Sequence, residues 1–136
     1  MARTGSPGRF LLLLITLGTA LAMPPAGLSE EIPPADGASL VFVTKSDACD
    51  CVANLCVAGE QEVLNFLAGS GTSLRYERVD LAKDPGAGKT YRAVTLPVVL
   101  LLDGAGGEIA RFDSFFTEAQ LTGVWQQHLA TRAEKP

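Results

Sequence analysis

The sequence of 136 residues contains little positive charge and no basic cluster. It has 11 lysine and arginine residues against 15 aspartate and glutamate residues, which gives a formal net charge of −4. Nucleic acids and anionic membrane surfaces are bound through clustered lysine and arginine side chains. We therefore expect neither of them as a partner of this protein.

Long apolar runs are also scarce, since the one near the start, FLLLLITLGTALAM, covers only residues 10–23. It is shorter than the roughly 20 apolar residues that a membrane-spanning helix needs. It follows a segment with two arginines and no acid, a pattern typical of a secretory signal peptide. A small-x-small motif predicts cleavage after Ala22, and Gly27-Leu28-Ser29 is a second candidate. We expect residues 1–22 to be a signal peptide, and the alternative is an uncleaved anchor.

The sequence shows no internal repeat and no second linker, which leaves room for one domain. Residues 23–37 are rich in proline, glycine and small residues and are expected to be a flexible lead-in. The remaining segment, 38–136, is long enough to form a small domain with its own core. We expect a periplasmic or secreted monomer with no membrane association beyond the signal segment.

Cysteines are few, and their placement carries most of the chemistry. Cys49 and Cys51 are one residue apart, and Cys56 follows five residues later. In an oxidising compartment thiols tend to form disulfides or to perform redox work. An odd number of cysteines leaves at least one thiol free or cycling between partners.

Hydrophobic periodicity divides the domain into seven elements. Apolar residues between 52 and 67 recur at spacings of three and four, which predicts a long helix with a kink at Gly59. Thr117 and Gln120 have the spacing of a capping box at the start of the last helix. One or two helical turns are expected after Gly86 and through Tyr91. Apolar and β-branched runs predict four strands, at 39–44, 74–81, 97–103 and 108–112.

The order of these elements predicts an α/β fold. The first two strands are joined by the long helix and should pair in parallel through a right-handed crossover. The last two strands are separated by Gly-Ala-Gly-Gly and should form an antiparallel hairpin. We therefore expect a small mixed four-stranded sheet with helices on both faces.

Three segments of the sequence resemble the thioredoxin superfamily. VFVTKSDACDC is similar to the family's buried strand that runs into cysteines at the start of a helix. VDLAKDPGAGKTYRAVTLP and VTLPVVLLLDGAGGEIARF are similar to the stretch around its cis-proline and the hairpin that follows. The resemblance covers residues 39–129 and implies a thioredoxin-like fold. The chain departs from the family in having Cys49-Asp50-Cys51 in place of Cys-x-x-Cys, and in having no acid in SLVFV.

The resemblance also implies a function and a set of site residues. It implies a thiol–disulfide oxidoreductase that exchanges disulfides with protein partners, without a cofactor or a bound metal, and the signal-peptide pattern adds the expectation that it is exported. Cys49 would attack a partner disulfide and Cys51 would resolve the mixed disulfide. The register leaves a second assignment open, in which Cys51 takes the place of the second family cysteine and Ala48 that of the first. A cis bond before Pro97 is implied, with the backbone of Thr95 and Leu96 holding a substrate strand.

The electrostatics of the two thiols cannot be fixed from the sequence. A helix N-terminus stabilises a thiolate, whereas the neighbouring Asp47 and Asp50 disfavour it. Lys45 offsets part of that effect. A disulfide between Cys49 and Cys51 would close a very small ring and should be easily reduced.

Two alternatives to the oxidoreductase hypothesis remain open. The thiolates could hold a soft metal or metalloid ion, although no histidine or methionine lies near them in sequence. The domain could also be a redox-inactive interaction module. Cys56 is expected to be a core-facing small hydrophobe, with a resolving thiol or third ion ligand as its alternative. We expect structural roles for His128 and Trp125.

Overall fold

The computed structural model of the chain describes residues 37–136. The expected signal peptide at 1–22 lies outside the described residues, as does nearly all of the expected lead-in. Within residues 37–136, no helix has the length and the apolar character needed to cross a membrane.

The described residues form the seven elements that the sequence pattern predicts, in the same order. Their bounds are β1 Ser39–Thr44, α1 Asp50–Ala68, β2 Arg75–Asp80, α2 Ala87–Thr90, β3 Val98–Leu102, β4 Glu108–Asp113 and α3 Glu118–Ala133.

The strands form one sheet in the order β2-β1-β3-β4. β1 pairs in parallel with β2, and α1 makes the crossover between them. β1 and β3 are antiparallel, and so are β3 and β4. The mixed four-stranded sheet expected from the sequence is therefore confirmed, and β1 lies inside it with a neighbour on each side.

The two faces of the sheet carry separate apolar clusters because successive side chains of a strand point to opposite faces. On one face the strands pack against α1 and α3 through the residues Leu40, Phe42, Val63, Phe66, Val99, Leu101, Leu121 and Trp125. On the other face Val41, Val43, Val79, Val98 and Leu100 pack with Ala87 of α2. Helices thus cover both faces of the sheet, as the sequence pattern predicts.

Two of the expectations about helices have different outcomes. The capping box at the start of α3 is confirmed, since the Thr117 side chain accepts from the Gln120 amide and the Gln120 side chain accepts from the Thr117 amide. Gly59 does not interrupt α1, because the helix continues from Asp50 to Ala68. Gly59 has a packing role instead.

Gly59 allows α1 to lie against the segment that enters β3. A Cβ atom added at Gly59 would lie 2.9 Å from Cγ of Pro97 and 2.9 Å from Cζ of Phe116. Real Cβ atoms do not approach carbon this closely, and both neighbours are buried. A glycine is therefore required here by the close contact between the helix and Pro97.

We predict that Gly59→Ala destabilises the protein by about 1–2 kcal/mol. Overpacking typically costs about 1–3 kcal/mol, and the better helix propensity of alanine returns up to about 1 kcal/mol. Gly123→Ala is the matched control, because α3 leaves open space around that position. Denaturant unfolding should show Gly123→Ala as stable as the parent or slightly more stable. Equal stability of the two variants would contradict the packing role of Gly59.

Candidate thiol site

The candidate site lies where β1 leaves the sheet and α1 begins. The strand ends at Thr44, and a turn at 45–48 leads to Cys49, the N-cap residue of the helix. The Cys49 carbonyl accepts the first helical hydrogen bond, from the Ala53 amide at 2.9 Å. Both cysteines of the pair are therefore at the end of a helix where several amides have no partner within the helix.

The two thiols of Cys49 and Cys51 are in direct contact. Their Sγ atoms are 3.2 Å apart, both side chains are exposed, and neither is in a disulfide. A disulfide bond measures about 2.05 Å, so a short movement separates this arrangement from a bonded pair. The pair can thus hold two electrons as thiols and release them on forming a bond.

The surroundings of the pair shift the two pKa values in opposite directions. The pKa of Cys49 is lowered, first by the Val52 amide and then by the thiol of Cys51. The Cys49 Sγ makes no full N-cap hydrogen bond, but the Val52 amide is close enough to favour the thiolate. The pKa of Cys51 is raised, first by its hydrogen bond with Cys49 and then by the charge on that thiolate. Cys49 is therefore the more acidic thiol.

The neighbouring carboxylates of Asp47 and Asp50 do not decide the pKa of Cys49. Asp47 lies 3.6 Å from the Lys45 ammonium in an exposed ion pair, so the two charges largely offset each other. Neither Asp47 nor Asp50 is among the groups that shift the pKa of Cys49. The effect of the helix amides prevails at that position.

Asp80, expected from the sequence to be a solvated or capping residue at the end of a strand, contacts the main chain that leads to the cysteines. It is the last residue of β2 and is only 8% exposed. Its Oδ1 atom accepts hydrogen bonds from the amides of Ser46 at 2.9 Å and Ala82 at 3.1 Å. These bonds, led by the one from Ser46, lower the pKa of Asp80. The available signal was an aspartate at the end of a strand next to a turn.

Pro97 belongs to the second part of the expected site, the cis-proline segment at 95–97. The Leu96–Pro97 bond is cis, as the resemblance implies. Pro97 is buried, contacts α1 at Gly59, and accepts a hydrogen bond at its carbonyl from the Ser114 amide at 2.8 Å. Thr95 is exposed and Leu96 is partly buried. The structure thus brings the cis-proline segment against the helix whose first turn carries the thiols.

The remaining candidate residues have the structural surroundings expected for them. Cys56 is buried in α1 at 5% exposure, as expected for a core-facing residue. The ring of His128 stacks on Trp125 with centroids 5.5 Å apart, and both belong to α3. Among residues 37–136, no three His, Cys, Asp or Glu side chains gather in a way that could hold a metal ion.

Two exposed apolar side chains flank the cis-proline segment and were not singled out from the sequence. Val94, three residues before Pro97, is 92% exposed. Phe115 is 76% exposed and follows Ser114, whose amide donates to the Pro97 carbonyl. The signal in the sequence was two adjacent phenylalanines, Phe115 and Phe116. In the structure only Phe116 is buried, which leaves Phe115 at the surface.

The fold of this chain is similar to the folds of several solved structures. No family model and no curated protein matches the sequence. Among solved structures, thioredoxin-2 of the malaria parasite has a TM-score of 0.59 at 18% identity, covering 68% of this chain and 84% of that one. Thioredoxin 1 from Thermosipho africanus TCF52B has a TM-score of 0.57 at 19% identity, covering 71% and 99%. A mutant thioredoxin from Halobacterium salinarum NRC-1 has 0.55 at 13%, covering 68% and 76%.

These likenesses extend over most of the described residues and over most of each thioredoxin. They support the mixed four-stranded sheet with helices as the fold of this chain. The chain has the thioredoxin fold, with Cys49-Asp50-Cys51 at the site where its first helix begins.

Proposed function

We propose that the protein is an exported thiol–disulfide oxidoreductase that exchanges disulfides with protein partners through Cys49 and Cys51. The observation that carries the proposal is the contact of two exposed thiols, 3.2 Å apart, at the start of a helix. The opposite shifts of their pKa values add a direction to the chemistry, since exchange begins with a thiolate.

Cys49 is the attacking residue in the proposed reaction. Its thiolate attacks one sulfur of a partner disulfide, that S–S bond breaks, and the departing partner thiolate takes up a proton. The product is a mixed disulfide between Cys49 and the partner. The lowered pKa of Cys49 favours this step because a larger fraction of that thiol is ionised near neutral pH.

Cys51 completes the reaction by resolving the mixed disulfide. It loses its proton to solvent or to the departing group and attacks Sγ of Cys49, and the bond between Cys49 and the partner breaks. The partner leaves with two thiols, and the protein keeps a Cys49–Cys51 disulfide. Two electrons pass from the protein to the partner, and no cofactor is needed because both electrons come from sulfur. The same steps in the reverse order oxidise a dithiol partner.

The cis-proline segment is proposed to hold the partner chain. The backbone of Thr95 and Leu96 would pair with an extended segment of the partner, next to buried Pro97. The exposed side chains of Val94 and Phe115 support this assignment, since Val94 directly precedes the segment and Phe115 follows Ser114, which is hydrogen-bonded to Pro97. Exposed apolar side chains that lie close together are typical of protein contact sites.

The proposal also includes the compartment in which the protein acts. The signal-peptide pattern of residues 1–22 supports export to the periplasm or beyond the cell. Disulfides form and persist in such compartments. Protein thiols and disulfides would therefore be present there as partners.

We predict that Cys49 is alkylated faster than Cys51 at neutral pH. The pKa of Cys49 lies below the ordinary thiol value and that of Cys51 lies above it, so Cys49 carries more thiolate between the two values. The reduced protein would be treated briefly with iodoacetamide at about pH 7, and the labelled peptides would be quantified by mass spectrometry. Cys56 is buried and should be labelled last. Faster labelling of Cys51 would reverse the assignment of the attacking thiol.

We predict that Cys49→Ser and Cys51→Ser each lower the rate of disulfide reduction roughly 100-fold, because exchange needs both sulfurs. Cys56→Ala is the matched control, since it also removes one thiol but lies away from solvent. It should keep the rate within about twofold. Insulin reduction with dithiothreitol as the electron source is a suitable assay.

A titration with Cu(I) and a competing chelator on the same variants tests the ion-binding alternative. A three-thiolate site would lose affinity in all three variants and would release protons on binding. If the parent protein reduces disulfides no faster than its cysteine variants and binds the ion tightly, the oxidoreductase proposal is wrong.

A further inference from the structure

Asp80 lies where the two parallel strands, β1 and β2, end together. Its register partner is Thr44, the last residue of β1. The Leu81 amide donates to the Thr44 carbonyl at 2.9 Å. Beyond these residues the two segments separate. The one after β1 enters the turn at 45–48 that leads to the cysteines, and the one after β2 enters the turn before α2.

One oxygen of the Asp80 carboxylate accepts hydrogen bonds from both of these segments. Oδ1 accepts from Ser46 at 2.9 Å on the cysteine side and from Ala82 at 3.1 Å on its own side. The main-chain carbonyl of Asp80 accepts from Lys83 at 3.0 Å and Asp84 at 2.9 Å, which fixes the backbone that presents the carboxylate. Asp80 is 8% exposed, and both of its side-chain hydrogen bonds are partly buried.

The turn that Asp80 contacts has weak support of its own. Its internal hydrogen bond, from the Ala48 amide to the Lys45 carbonyl, is long at 3.4 Å. The ion pair between Lys45 and Asp47 is exposed, and such pairs contribute little. Cys49, at the end of this turn, makes no side-chain cap hydrogen bond that would fix its own direction. The placement of its Sγ near the Val52 amide therefore depends on how the turn is held.

We infer that Asp80 is a positioning residue for the thiol site, which holds the 45–48 turn through the Ser46 amide and so keeps Cys49 near the Val52 amide. The inference rests on the proposed function of the cysteine pair. In this inference Asp80 acts through the main chain, because its carboxylate contacts the Ser46 amide at 2.9 Å. A hydrogen-bond acceptor at this place is the property that matters.

The test measures the rate of iodoacetamide labelling at Cys49 against pH in the parent, Asp80→Ala and Asp80→Asn. Asp80→Ala should raise the thiol pKa of Cys49 and slow labelling at neutral pH roughly threefold or more. Asp80→Asn should restore most of the rate, because an amide oxygen can accept from the same two amides. A purely structural role would change the melting temperature without changing the thiol pKa of the folded protein.

Asp103 provides a matched control at the opposite end of the sheet. Its Oδ1 atom also accepts two main-chain bonds, from Ala105 at 2.9 Å and Gly107 at 2.7 Å. It follows Leu102, which pairs with Ser39 at the start of β1, whereas the cysteines follow the end of that strand. Asp103→Ala should therefore leave the labelling of Cys49 unchanged.

The outcomes separate the hypotheses. An unchanged profile in Asp80→Ala, or equal profiles in Asp80→Ala and Asp80→Asn, would overturn the positioning role, the second by showing that charge matters. If Asp80→Ala does not fold, Asp80→Ser takes its place, since its hydroxyl is too short to reach both amides, and it should slow labelling equally. Labelling needs no partner protein, so a failure of the parent to reduce disulfides would reject the proposed function while the profiles still decide the role of Asp80.

Discussion

The burial of β1 is the constraint on which the rest of the structure depends. All six of its residues are buried, and its apolar side chains alternate between the two clusters. It also pairs with a strand on each side. A strand held in this way has a fixed end, and the chain that emerges at Thr44 begins its turn from a fixed point. The position of the cysteines at the start of α1 follows from that point.

The sequence predicted the elements and the sheet because those follow from local patterns. The apolar, β-branched run of β1, the spacing of apolar residues in α1 and the capping box at Thr117 are all visible within short windows. The contacts around the site join residues far apart in the chain, as Ser46 and Asp80 are. Gly59 was assigned a kink for the same reason, since its partners Pro97 and Phe116 are revealed only by the folded chain.

The acidity of Cys49 shows why the candidate site could be located from sequence more readily than its electrostatics. The sequence places amides and carboxylates near the same thiol, and these have opposite effects. Distance and direction decide between them. The Val52 amide has the largest influence on Cys49, whereas Asp47 is paired with Lys45 at the surface. The composition of a segment cannot supply those directions.

The proposed exchange also has to move a proton from Cys51, whose pKa is raised. β1 supplies no titratable side chain for this task, since its sequence is Ser-Leu-Val-Phe-Val-Thr. Asp80 is the buried carboxylate at the end of the neighbouring strand, and its Oδ1 is engaged by two amides. Cys51 is itself exposed. Once Cys49 is bonded to a partner it is no longer a thiolate, so the two leading causes that raise the pKa of Cys51, its hydrogen bond with Cys49 and the charge on that thiolate, are both gone. The resolving thiol then ionises to solvent more easily at the step that requires it.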